Sequence, residues 1–125
     1  MLQYFVMRLY WFLLALTTSA VLAAVNYIAL QNYWFWIYRW LDTPMHLLGG
    51  FAIGSLLIAF LFRFRPLYYI AGMIVVAVGW EIFEALLGFT AQSDYVYATA
   101  HDILNDALGA IVAYILARYT IWRSV

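Results

Sequence analysis

The chain has 125 residues, 69% of them hydrophobic and 10% charged, with a mean hydropathy of +0.92. A water-soluble domain of this size needs far more polar surface, so the composition describes an integral membrane protein with one compact domain. The formal net charge of zero argues against nucleic acid as a partner, which needs a basic face, and the lack of cysteine excludes disulfide and thiolate chemistry.

Four apolar runs come near the ~20 residues needed to cross a hydrocarbon core. The first covers residues 4–30. Its apolar core runs well beyond the ~7–15 residues of a signal-peptide core, so it reads as a retained membrane span. Asn26, near its far end, reads first as a helix-to-helix hydrogen-bonding residue. The connection that follows is dense in aromatic side chains from Tyr33 to Trp40. It predicts a short helix along the membrane interface, serving either as part of an aromatic belt or as a roof over the acidic residues described below.

The second run covers residues 44–62. Thr43-Pro44 predicts an N-cap followed by proline at the first helical position, with Asp42 favoured by the positive end of the helix. Asp42 and His46 are four residues apart and share a face. Gly50 and Gly54 continue below His46 as a close-packing motif.

The third run covers residues 67–89 and contains Trp80-Glu81-Ile82-Phe83-Glu84. Ala77, Glu81, Glu84 and Gly88 fall in one stripe, with small residues flanking the acids. Glu81 lies roughly two turns below the helix end at about 1.5 Å per residue, too deep for free solvation. A glutamate there must be protonated, paired or metal-bound.

The fourth run covers residues 102–122. Thr99 and Asp102 have the spacing of a capping box, which predicts a helix starting at Thr99. Asp102 and Asp106 share a face with Asn105 beside them, and Gly109 and Ala113 extend that face with small residues. No internal repeat, linker or low-complexity tract stands out. The economical fold is an all-α, four-span up-and-down bundle.

Charge is segregated along this bundle. Arg8, Arg63, Arg65, Arg118 and Arg123 fall on the side of the two termini, and Arg39 alone falls on the other. The positive-inside rule then predicts cytoplasmic termini. All six acids (Asp42, Glu81, Glu84, Asp94, Asp102 and Asp106) and both histidines (His46 and His101) fall on the outer side. Clustered negative charge facing one arginine cannot persist in a poor dielectric without protons, metal ions or water. Mixed Asp, Glu and His side chains at i,i+3 and i,i+4 spacings on facing helices are the ingredients of carboxylate-rich metal sites. Asp42, His46, Glu81, Asp102 and Asp106 are therefore the candidate ligands. The donor set suits Zn, Mn, Fe or Mg. Glu84 is a candidate base or further ligand, and Arg39 a candidate clamp on an anionic headgroup.

Asp42-x3-His46 with Gly49-Gly50-Phe51, Trp80-Glu81-x2-Glu84, and Asp102-x3-Asp106-x2-Gly109-Ala110 together resemble the VanZ-like superfamily of small polytopic bacterial membrane proteins, or a related branch of uncharacterised inner-membrane proteins. The chain departs from that pattern at Asp106, where asparagine is typical, and in carrying the extra Glu84. The resemblance implies a multi-pass protein of the bacterial inner membrane in a cell-envelope setting, linked for the namesake to glycopeptide antibiotic resistance.

Three functions are compatible with these residues. One is a metal-dependent enzyme acting on lipid-linked or envelope substrates, with the metal polarising an ester or phosphoryl oxygen and a free carboxylate acting as base. Another is a non-catalytic accessory subunit or lipid-binding scaffold with protonated carboxylates, partnered by another protein or by itself. A small transporter is the third, disfavoured by the lack of broken helices or of an acidic relay on the inner side.

Overall fold

The computed structural model describes residues 1–61, 65–88 and 95–123. Arg63, Asp94 and the outermost ends of the second and third predicted runs, Phe62 and Phe89, lie outside the described residues. Among those described, α1 is Leu2–Gln31 and α2 is the single turn Trp34–Ile37; a 3-10 turn at Arg39–Leu41 leads into α3, Asp42–Phe60. Helix α4 is Pro66–Leu86 and α5 is Tyr95–Tyr119. Four helices are long and apolar enough to cross a membrane. Long apolar runs adopt this form because a helix satisfies every backbone polar group within the segment, which lipid cannot do.

The helix boundaries follow local chemistry. Pro66 opens α4, where its missing N–H costs nothing. α1 ends as Asn32 turns back, its side-chain Nδ2 donating to the Ile28 carbonyl at 2.8 Å. Tyr33 then takes a left-handed conformation with φ 58°, uncommon for a bulky residue, and reverses the chain into α2. Gly88, with φ +76°, closes α4, the left-handed position that glycine occupies without a Cβ penalty.

Two predicted starts are corrected. The 3-10 turn carries the chain straight into α3 at Asp42, so Thr43 is not an N-cap and Pro44 sits within the first turn, where proline is still tolerated. α5 begins at Tyr95, about two turns ahead of the predicted start of the fourth run. Thr99 is thus interior to the helix and caps nothing. Tyr95 to Ala100 contains no helix breaker, and a hydropathy boundary marks where a run turns polar rather than where its backbone stops.

α3 is the central helix, packed against α1, α4 and α5. It runs parallel to α5 at backbone contact: a Cβ on Gly50 would overlap the Asp106 carbonyl, and one on Gly109 would overlap that of Leu47. One turn further on, Gly54 faces Ala110 and Ala113. α1 lies antiparallel to α3, with Arg8 donating from Nε to the Ala59 carbonyl at 2.7 Å and from Nη2 to that of Phe60 at 3.3 Å. Those carbonyls end α3 without an intrahelical partner, so the guanidinium also meets the negative end of its dipole. α4 returns antiparallel, and its Tyr69 passes over Gly54 to donate to the Ala110 carbonyl at 2.7 Å.

This arrangement gives the bundle a basic end and an acidic end. At the basic end Trp11, Ile58, Tyr69, Met73, Ala113, Ala117 and Trp122 form the apolar core. At the acidic end Asp42, Glu81, Glu84, Asp102 and Asp106 are gathered near the starts of α3 and α5. The aromatic segment α2 packs against α1, and the 3-10 turn against the start of α3. Their rings are largely exposed.

Candidate metal centre

His46, in the second turn of α3, is the hub of the acidic end. Its Nδ1 donates to Asp106 Oδ1 of α5 at 3.2 Å. That bond turns Nε2 towards Asp42 and the other aspartate of α5. Nε2 lies 3.7 Å from Asp42 Oδ1 and 3.7 Å from Asp102 Oδ2. Both separations are too long for hydrogen bonds.

Asp42, His46 and Asp102 each offer one ligand atom, all within 4.8 Å of one another. Ligands roughly 2.0–2.2 Å from a tetrahedral zinc ion stand about 3.4 Å apart, close to the spacing of Nε2 from the two oxygens. Asp102 is buried while Asp42 keeps about half its side chain exposed (49%), so the trio runs from the helix interior to the end of the bundle.

Asp106 is buried behind the imidazole rather than in front of it. Its oxygen contacts Nδ1, on the far side of the ring from the trio. The i,i+4 spacing places both aspartates of α5 on one face, but only the register against α3 puts one on each side of His46.

Glu81 reaches the same region from α4. It is 5% exposed, its Oε1 has no hydrogen-bond partner, and its charged neighbours are Asp102, Glu84 and His46. Thr99 of α5 lies against it, also without a partner of acceptable geometry. Thr99 was expected to cap a helix, and its actual position beside Glu81 has no signal in the sequence.

Two expected participants make no hydrogen bond or ion pair with the trio among the described residues, although Glu84 stays within electrostatic range of His46, Asp42 and Asp106. Glu84 Oε1 accepts from Trp80 Nε1 at 2.9 Å, on an exposed face of α4. Arg39 is exposed in the 3-10 turn and, among the described residues, makes no ion pair with the cluster. Asn26 of α1 is half-buried and makes no hydrogen bond among the described residues.

His101, which the metal-ligand set did not include, does join the network. Its Nδ1 lies 3.6 Å from Asp102 Oδ1 and accepts from Asn105 Nδ2 at 3.1 Å, while its ring stacks on Tyr97. Asp102 therefore has an imidazole on each side. The i,i+4 relation of His101 to Asn105 was the available signal.

Like charges about 4 Å apart repel by about 4 kcal/mol at an effective dielectric near 20. Among the described residues two imidazoles, His46 and His101, stand against Asp42, Asp102 and Asp106, with Glu81 nearby. Asp42, His46 and Asp102 are the residues whose ligand atoms could hold a metal ion. No protein-family model matches this chain, and no curated protein or solved structure is similar to it.

Proposed function

We propose that this is a multi-pass protein of the bacterial inner membrane that binds a divalent metal ion between α3 and α5 and uses it on lipid-linked or cell-envelope substrates. The observation carrying this reading is the His46 ring, with Nε2 3.7 Å from each of two aspartates and Nδ1 anchored by a third. Asp42, His46 and Asp102 are the inner ligands. Asp106 supplies the outer carboxylate that fixes ring orientation and raises imidazole basicity, the usual surroundings of a metal-bound histidine. One nitrogen with several oxygens suits Zn, Mn, Fe or Mg.

Bound there, the ion would polarise an ester or phosphoryl oxygen and acidify a coordinated water. Glu81, with a free buried oxygen, takes the part of further ligand or base more readily than Glu84, which Trp80 occupies. Arg39, exposed in the 3-10 turn ahead of Asp42, would meet an anionic headgroup. The arginines Arg8, Arg65, Arg118 and Arg123 at the opposite end favour cytoplasmic termini and an extracytoplasmic site. The VanZ-like pattern of Asp42, His46, Glu81 and Asp102 supports an envelope setting.

Metal analysis of the purified protein, with anomalous scattering to locate the ion, tests the reading. About one equivalent of metal is expected, lost in Asp102→Asn. Metal-free protein whose function survives both chelator and Asp102→Asn would overturn it. A second reading, a scaffold or accessory subunit with protonated carboxylates, is favoured by the way the same side chains tie α3 to α5. It predicts assembly with a partner that persists in the carboxylate variants and without metal.

A further inference from the structure

Two of the long helices end on an arginine. Arg8 donates to the Ala59 and Phe60 carbonyls at the end of α3, and Arg118 stands in the last turn of α5. The last turn of α4 has no basic residue and carries Glu84 instead. A carboxylate there adds to the negative end of the helix dipole, where a cation is favoured. Glu84 is within electrostatic range of His46, Asp42 and Asp106, yet among the described residues it forms no ion pair.

Aromatic rings stand beside that carboxylate. Trp80 Nε1 donates to Glu84 Oε1 at 2.9 Å, which holds the indole against the acid. The second carboxylate oxygen makes no hydrogen bond among the described residues. Phe83 packs on Trp80 with ring centroids 5.6 Å apart and planes inclined by 42°. Trp80 is 48% and Phe83 49% exposed, so a ligand can reach both rings. An i,i+4 hydrogen bond and a ring pair alone would be ordinary contacts on a helix surface. The helix end makes them more than that, because π faces, carboxylate and dipole all attract a cation. One carboxylate between two rings lacks the oxygen set that a hard metal ion needs, whereas an organic ammonium suits it. One turn towards the start of α4, a Cβ on Gly79 would meet nothing within 4 Å, and Val76 is exposed. The surface beneath the rings is therefore open and apolar, as a hydrocarbon chain attached to that ammonium requires.

We propose that Trp80, Phe83 and Glu84 bind the ammonium headgroup of a zwitterionic phospholipid, with an acyl chain running past Gly79 and Val76. The ammonium lies against the ring faces and donates to the Glu84 carboxylate. Glu84 then selects the headgroup instead of serving as a base. The site rests on the membrane setting proposed above and is independent of the metal ion.

Native mass spectrometry of the full-length protein in detergent, with excess chelator, compares two lipids. Dioleoyl phosphatidylethanolamine and dioleoyl phosphatidylglycerol share acyl chains and phosphate and differ in the ammonium. Wild-type protein should bind the ethanolamine lipid about fivefold more tightly, or better. Glu84→Gln should bring the two affinities within about twofold of each other. Phe83→Leu keeps the net charge and the Trp80–Glu84 bond, and should still reduce the preference by about twofold or more. Both variants alter surface positions and should keep the wild-type Tm.

Equal binding of the two lipids by the wild-type protein overturns the proposal, and so does a preference that survives Glu84→Gln. A preference lost in Glu84→Gln but untouched by Phe83→Leu overturns it as well, because the general negative field of the acidic end would then explain the selection. Chelator is present throughout, so none of these outcomes decides the metal reading. Failure of that reading alone would appear as protein that binds no metal and keeps its lipid preference.

Discussion

The two halves of the α3/α5 seam share one backbone geometry and carry opposite chemistry. Towards the basic end, Ile58, Ala113 and Ala117 are fully buried and Trp122 is 1% exposed beneath Tyr69 and Met73. Towards the acidic end the same two helices enclose His46, Asp102, Asn105 and Asp106, each buried as deeply as core residues. The first half gains from packing, whereas the second sets carboxylates against imidazoles at hydrogen-bond and ion-pair distances and bears the cost of desolvating them. Close backbone contact at Gly50 and Gly109 and the apolar half below them set the register, and the polar side chains are presented on that frame. This is the usual relation between a rigid scaffold and a functional centre.

The largest expected effect erases both halves together. Gly50→Val forces a branched side chain into the Asp106 backbone, where even a Cβ overlaps the carbonyl. Overpacking of this kind costs about 1–3 kcal/mol or more. The expected outcome is loss of a monodisperse folded protein in size-exclusion chromatography and loss of metal binding in the same sample. Normal folding would show that the seam is looser than backbone contact.

Separating the halves is the next test. Asp102→Asn should abolish stoichiometric metal binding while leaving metal-free Tm unchanged or higher, because a buried like charge is removed. Asp106→Ala should weaken binding by about 10–100-fold through loss of the bond that orients His46. A fall in metal-free Tm as large as that from a core truncation would assign the aspartates to the scaffold instead.

Smaller effects belong to the apolar half. Arg8→Gln removes the charged donor from the Ala59 carbonyl and should cost about 1.5–3 kcal/mol in unfolding measurements. Tyr69→Phe deletes the bond to the Ala110 carbonyl and should cost about 0.5–1.5 kcal/mol. Metal affinity should stay unchanged in both, and a tenfold loss in either would couple the halves. The smallest change is Gly79→Ala, where a Cβ meets nothing within 4 Å. It should stabilise the protein by about 0.5–1 kcal/mol, the usual gain in a helix interior.

Much of this comparison can be read along the chain. Runs of apolar residues near membrane length allow only helices, so four helices long and apolar enough to cross a membrane follow from composition and backbone hydrogen bonding. Their starts are less legible. Asp42 and Tyr95 begin helices whose apolar stretches start later, because polar residues interrupt a hydropathy run without interrupting the backbone. The acidic end is legible too, since short connections force α3, α4 and α5 to alternate in direction and bring Asp42, Glu81 and Asp102 to one level.

What the chain cannot state locally is which side of His46 each aspartate occupies. Asp102 and Asp106 are indistinguishable by helical spacing, and the structure sets one before Nε2 and the other behind Nδ1. That division depends on the sliding register of α3 against α5, which Gly50, Gly109, Tyr69 and the alanines settle together at long range. Glu84 illustrates the same point, because Trp80, four residues away, captures a carboxylate that the spacing alone would have aimed at the centre. Composition and chain alternation already place the acids at one end of a protein with four helices long enough to cross a membrane. Tertiary structure alone decides their roles, because the difference between ligand, anchor and bystander lies in about one helical turn of register between two helices that are distant in the chain.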